Sequence, residues 1–381
     1  MQRTLFEPEH ESLRESVREF LDRHVTPRYD EFIAAKAFPR DLWLEAGKQG
    51  FLAVQVPEEY GGGGADDYRF SVVIDEEFAA VSGALSSCFG IHSGVCEPYL
   101  TKLTTPEQRD RWLPGYCTGE IVTAIGMTEP GGGSDLAALK TTAVRDGDTF
   151  VVNGSKTFIT NGYSADLVIV AARTDPAKGA KGISLFGVET GMPGFTRGRK
   201  LDKVGQEESD TAELFFEDVR VPAANLIGEL DRGFIHMMEQ LPQERLGAAV
   251  SNLAHCRAIL VETLQYAKDR RAFGQSIGAF QANKFLLAEL FTKVEVTQAF
   301  VDDGIRAHTA GTLTAVDAAK AKWWTAQVQS EVLDACVQLH GGYGYMNEYR
   351  VAKAWRDARV TKIWAGSNEI MKELIGRDLG L

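Results

Sequence analysis

The chain has 381 residues, 44% hydrophobic and 25% charged, a composition that argues against disorder and predicts two or three packed units rather than one. The 41 basic and 53 acidic side chains give a formal charge of −12 with no Lys/Arg cluster of the kind that tracks a phosphate backbone, so nucleic acid is not expected as a partner. No run approaches the roughly 20 apolar residues of a membrane helix, which predicts a water-soluble protein.

The N-terminus, MQRTLFEPEHESLRESVREFL, has no apolar signal core and too many acidic residues for a transit peptide, which predicts a cytoplasmic location, with a processed mitochondrial form as the alternative that would look the same. Cys88, Cys96, Cys117, Cys256 and Cys336 are scattered, without CxxC pairing or metal-ligand spacing to any histidine; reduced thiols and no metal site are expected. From Glu9 to His24, Leu13, Val17, Phe20 and Leu21 fall at helical spacing behind Pro8, and more helix is expected to about Gly119. The Gly61-Gly62-Gly63-Gly64 run lacks the Lys and Ser/Thr of a phosphate loop and reads as a plain turn.

Near Ile121 the character changes. Thr149-Phe150-Val151-Val152 and Lys156-Thr157-Phe158-Ile159-Thr160 flank Asn153-Gly154, which predicts a hairpin turn at that dipeptide. Leu167 to Val170, Ile183 to Phe186 and Leu214 to Phe216 continue the strand pattern to about Val221-Pro222. Beyond Gly233 the period is helical again, with Val328, Val332, Ala335 and Leu339 on one stripe and Gly341-Gly342 where a C-terminal cap belongs. Helix, sheet, helix in that order is an α+β arrangement, not a doubly wound nucleotide-binding fold.

Two segments have the composition of a ligand site. Met127-Thr128-Glu129-Pro130-Gly131-Gly132-Gly133-Ser134-Asp135 sets glycines beside hydroxyls, either as an ordinary turn or as backbone that approaches a phosphate or flavin edge closely. Gln338-Leu339-His340-Gly341-Gly342-Tyr343, followed by Ile363-Trp364-Ala365-Gly366-Ser367-Asn368-Glu369, is either a set of bundle turns or a bed for a long cofactor.

With these two segments the chain resembles the acyl-CoA dehydrogenase family over essentially its whole length, and Glu239-Gln240-Leu241-Pro242-Gln243-Glu244-Arg245-Leu246 is most similar to the long-chain branch. The resemblance implies an N-terminal α-helical domain (residues 1–120), a central β-barrel domain (121–230) and a C-terminal four-helix bundle (231–381), assembled as a homotetramer that is a dimer of dimers. It implies FAD as cofactor, held by Met127, Thr128, Ser134, Phe158 and Thr160, by Arg270, Phe273 and Gln281 across a subunit interface, by Gln338, Gly341 and Gly342, and by Ser367 and Glu369. It implies fatty acid β-oxidation of an acyl-CoA, with Ser134, Arg245, Ala365 and Gly366 on the substrate side and an electron-transferring flavoprotein as acceptor.

Many members carry the catalytic carboxylate directly before the glycine matching Gly366, where this chain has Ala365. Alanine cannot take a proton, and a general base is worth roughly 10²–10⁴ in rate. The long-chain and isovaleryl enzymes place the glutamate on a bundle helix instead, and Glu244 matches that position. Pro242 predicts a helix start or kink that would put Glu244 in a first turn, where a surface glutamate favoured by the helix dipole is the bland alternative. The backbone N–H of Ala365 survives the loss of a side chain and is the expected donor to the thioester oxygen. Competing readings are a flavin oxidase, a carrier-protein thioester dehydrogenase, and a non-catalytic FAD- and CoA-binding subunit.

Overall fold

The computed structural model describes residues 3–381. Seven helices open the chain: α1 (Pro8–Phe20), α2 (Tyr29–Ala35), α3 (Arg40–Lys48), α4 (Tyr68–Val81), α5 (Gly83–Gly90), α6 (Glu97–Lys102) and α7 (Pro106–Thr118). Glu7 and His10 close a capping box at the start of α1, and the helical path runs on through a π-helical turn at Leu21–Val25. Val17, Phe20 and Leu21 are buried as their spacing requires, and Leu13 packs at their edge. On the other side Arg14 donates to Glu76 and Glu77 at 3.0 and 2.6 Å, tying α1 to α4. The four-glycine run is a plain turn, with Gly61 left-handed at φ 93° and no room for a Cβ at Gly62, 2.1 Å from the Val56 carbonyl oxygen.

Eight strands follow: β1 (Thr123–Gly126), β2 (Thr142–Asp146), β3 (Thr149–Ile159), β4 (Leu167–Arg173), β5 (Ile183–Glu189), β6 (Phe195–Lys200), β7 (Ala212–Pro222) and β8 (Leu226–Ile227). They form one mixed sheet in the order β6-β7-β3-β2-β4-β5-β8, with β1 parallel to β4. Strand β4 is buried on both faces. Val168, Val170 and Ala172 join Phe150, Phe186 and Leu214 in the core the sheet encloses, while Leu167, Ile169 and Ala171 pack against Tyr99, Trp112 and Tyr116 of the helical domain.

The hairpin expected at Asn153-Gly154 is not there. Strand β3 runs straight through the dipeptide, which makes a bulge against β7. Asn153 exchanges two hydrogen bonds with Asp218, and Gly154 lies where a Cβ would be 2.5 Å from the Thr141 hydroxyl. The turn is at Gly147-Asp148, where Gly147 has φ 60°. Both dipeptides carry turn chemistry, and the pairing across β7 decides between them.

The C-terminal third is helical: α8 (Gly233–Asp269), α9 (Gln281–Thr309), α10 (Ala315–His340), α11 (Arg350–Ala358) and α12 (Asn368–Asp378). Helices α8, α9, α10 and α12 make the bundle, whose core includes Leu253, Leu260, Val294, Val328 and Val332. Gly341 ends α10 at φ 61°. A second correction falls on Pro242, which neither starts nor breaks a helix: α8 runs unbroken for 37 residues. Proline removes one backbone hydrogen bond there, and α8, which packs against α4 and α10, continues through it. Among the described residues no helix is long and apolar enough to cross a membrane.

Candidate active site

The length of α8 changes what Glu244 is. It lies 11 residues past Gly233, about three turns in, beyond the reach of the helix N-terminal dipole. Its side chain opens into a cavity of about 310 Å³ bounded by α4, α5, α8, the ends of β1 and β3, and the turn at Trp364-Ala365-Gly366. Burial pushes the Glu244 carboxyl up to about 7, against the opposing pull of the Tyr99 hydroxyl, which donates to Oε1 at 3.2 Å, and of the neighbouring Arg245 cation. Arg245 is 6% exposed, its Nε has no acceptor among the described residues, and burial holds it below its ordinary range. A buried guanidinium without an acceptor is costly unless a ligand supplies one.

Along α8, Glu244, Gly247, Ala248, Ser251, Asn252 and His255 form one stripe on the cavity wall. Facing them are Gly83, Ser86, Gly90 and Gly94, and a Cβ at Gly90 or Gly94 would meet nothing within 4 Å. Small residues on both sides leave a tunnel, which the Ser86 hydroxyl crosses to donate to Ser251 at 2.9 Å.

The glycine-rich loop is shaped by Glu129. Its carboxylate accepts from the Lys140 and Thr141 N–H groups at 2.6 and 2.9 Å and from the buried Lys156 ammonium at 2.8 Å. Burial opposes its ionisation, and these bonds overcome that and pull it down to about 2. Lys156 also donates to the Met127 carbonyl at 3.2 Å, which holds Met127 and Thr128 at the cavity wall beside Phe158 and Thr160. Phe158 is 69% exposed in the left-handed region at φ 59°, an apolar face presented next to two threonine hydroxyls.

At the opposite wall Ala365 (φ 51°) and Gly366 (φ 84°) form a left-handed turn. The buried Lys322 ammonium donates to the Gly366 carbonyl at 2.5 Å, and burial lowers it to about 8. The Ala365 N–H points to no protein acceptor among the described residues. The left-handed backbone at 366 disfavours a side chain there, and a Cβ would also press on the Met371 methyl, 2.5 Å away at the end of a flexible side chain.

Seven of the expected site residues therefore line one cavity: Met127, Thr128, Phe158, Thr160, Glu244, Ala365 and Gly366. A second set lies apart from it. Arg270, Gly341 and Gly342 line an open pocket of about 480 Å³ with Tyr343 beneath the guanidinium, 5.6 Å from its carbon to the ring centre. Phe273 stands at a hairpin tip, φ 50° and 95% exposed, and Gln281 and Gln338 are exposed nearby in sequence. Besides Phe273, Gln281 and Gln338, four expected residues line neither cavity: Arg245 is buried, Ser134 and Glu369 are exposed, and the Ser367 hydroxyl caps α12 by accepting from the Ile370 N–H. Sequence reasoning missed Tyr99, Lys322, Glu129 and Lys156, whose partners are far away along the chain and leave no local pattern.

Three family models match the chain: Acyl-CoA dehydrogenase, N-terminal domain, over residues 7–120, middle domain over 124–219, and C-terminal domain over 231–380. The chain is 46% identical over 379 residues to the long-chain specific acyl-CoA dehydrogenase, mitochondrial, of Rattus norvegicus, covering 99% of this chain and 88% of that protein. It is 47% identical to an acyl-CoA dehydrogenase from Geobacillus kaustophilus whose crystal structure superposes with a TM-score of 0.97 over 99% of both chains. A glutaryl-CoA dehydrogenase from Mycobacterium smegmatis, solved in complex with FADH2, superposes at 0.92 with 26% identity, covering 98% of this chain and 95% of that one.

Proposed function

The chain belongs to the acyl-CoA dehydrogenase family, oxidoreductases acting on CH–CH bonds with FAD as cofactor, and from that premise we propose that it converts long-chain or branched acyl-CoA to the trans-2-enoyl thioester with Glu244 as the α-proton base. The observation that carries this reading is the Glu244 carboxyl itself, pushed up to about 7 inside a cavity it shares with the unpartnered Ala365 N–H.

The residues present suit the cofactor. Met127, Thr128, Phe158 and Thr160 offer an apolar face with hydroxyls beside it, as a flavin ring needs, and Arg270, Gly341 and Gly342 offer a cation and open backbone suited to a phosphate and adenine. A fully exposed phenylalanine such as Phe273 calls for a covering partner, which supports a homotetramer in which Arg270, Phe273 and Gln281 reach a neighbour's FAD. Bound FAD supplies the hydride acceptor.

The chain's own residues do the rest. The Glu244 carboxylate takes the proton from the α carbon, and its raised affinity for protons suits it to that task near neutral pH. The Tyr99 hydroxyl orients it. The Ala365 N–H, held in position by the Lys322 bond to Gly366, donates to the thioester oxygen as negative charge gathers there. Arg245 balances the charge at that end of the cavity. Electrons then pass to an electron-transferring flavoprotein, as β-oxidation requires.

Chain length is argued from the stripe on α8. Glu244 to His255 is a rise of about 16 Å, and an extended chain advances about 1.2 Å per bond, so the tunnel has room for roughly a dozen carbons. Anaerobic mixing of the FAD-bound protein with acyl-CoAs of graded length tests the proposal: the flavin band should bleach, fastest with long chains. Acyl-CoA that binds at every length without bleaching would overturn it.

A further inference from the structure

The acyl tunnel is not uniformly apolar. One turn of α8 beyond Glu244, Gly247 leaves a gap, and two polar groups from α4 close on it. The Tyr68 hydroxyl oxygen lies 3.5 Å, and Asp75 Oδ2 3.9 Å, from the point where a Gly247 Cβ would stand. Tyr68 is 4% exposed, and both residues line the same cavity as Glu244. Neither group has a hydrogen-bond partner among the described residues. The Tyr68 ring makes a T-shaped contact with His308, centroids 4.4 Å apart. Burial, helped by Glu76, pushes the Asp75 carboxyl up to about 7, so near neutrality it serves both as donor and as acceptor.

A plain methylene chain threaded past this point strips water from both groups and returns nothing, whereas an oxygen on the chain satisfies both. We propose that Tyr68 and Asp75 form a polar subsite that selects acyl thioesters bearing a hydroxyl or oxo oxygen part-way along the chain. The inference rests on the acyl-CoA dehydrogenase reading and narrows its substrate class. The subsite is about 4.5 Å along the helix axis from Glu244, which places the oxygen roughly four to six carbons from the thioester carbon.

The test compares dodecanoyl-CoA with hydroxydodecanoyl-CoAs whose hydroxyl is moved one carbon at a time, on the FAD-bound protein, reading both the dissociation constant by calorimetry and the anaerobic bleaching rate. At one position the hydroxylated chain should bind at least about tenfold more tightly than the plain chain, because a site built for a hydroxyl discriminates strongly against its absence. Asp75→Leu should abolish or reverse that preference. Asp75→Asn, which keeps shape and polarity, should retain part of it and guards against misfolding of the leucine variant, and Tyr68→Phe should weaken it. No favoured position in the wild type, or an unchanged ratio in Asp75→Leu, overturns the subsite even when dodecanoyl-CoA bleaches the flavin normally. Position-dependent binding without bleaching by any thioester sustains the subsite and overturns the dehydrogenase reading; failure of every thioester to bind overturns both.

Discussion

Glu244 on α8 and Asp75 on α4 open into one cavity, and burial pushes both carboxyls to about 7, yet their surroundings share little else. Glu244 accepts a hydrogen bond from Tyr99, has the Arg245 cation beside it, and faces the free Ala365 N–H across the cavity. Asp75 has the like charge of Glu76 behind it and only Tyr68, equally unpartnered, in front. A raised pKa marks both as carboxyls kept from water, and it does not say which one reacts. The groups that orient a carboxylate and stabilise the charge it creates make that distinction.

Substitution is the most direct way to break the comparison. Glu244→Gln should bind FAD and acyl-CoA nearly as before while turnover falls at least about 10²-fold, whereas Asp75→Asn should cost less than about tenfold with a plain acyl chain. Comparable losses in the two variants, measured by single-turnover flavin reduction, would erase the distinction drawn between them.

Removing what orients Glu244 should sharpen it. The Tyr99 hydroxyl favours the ionised carboxylate, so Tyr99→Phe should raise the Glu244 pKa by about one unit and cut the rate near pH 6 about tenfold, with recovery at high pH. In the wild type kcat/KM should climb about tenfold per unit up to about pH 7 and then level off, because the base works only after it has lost its proton. A profile that is flat from pH 5 to 8 would mean that another group accepts the proton. Lys322→Met removes a charged donor from the Gly366 carbonyl and should cost about 1–3 kcal/mol of stability in denaturant unfolding, with a several-fold loss in kcat/KM. The smallest effect belongs to Ala365→Gly, which keeps the N–H and relieves a left-handed alanine, so turnover should stay within about twofold of wild type.

The helix–sheet–helix order, the first helix, the four-glycine turn and the Gly341 cap were readable because each rests on local periodicity or local turn chemistry. Asn153-Gly154 misled because a bulge and a hairpin draw on the same two residues, and the choice between them is made by Asp218 and Thr141, far off in sequence. Pro242 misled for a similar reason: its local effect is real, and tertiary packing of α8 overrides it. At the site, Glu244 was reached through the resemblance and the alanine at 365 together. Tyr99, 145 residues away, and Lys322, 44 residues from Gly366, could not be reached that way, since a contact closed only by the fold leaves no spacing to read.

The Ala365 turn supplies a backbone N–H, and the left-handed backbone at 366 favours glycine, while the proposed proton acceptor sits on a different element. The two halves of the proposed chemistry therefore drift under different constraints. On α8 a one-residue insertion rotates Glu244 and the tunnel wall by about 100° together, so base and acyl specificity are inherited as a unit. At 365 the side chain is free to vary among residues that accept a left-handed backbone, so that position can change in a lineage without any change in what the enzyme does.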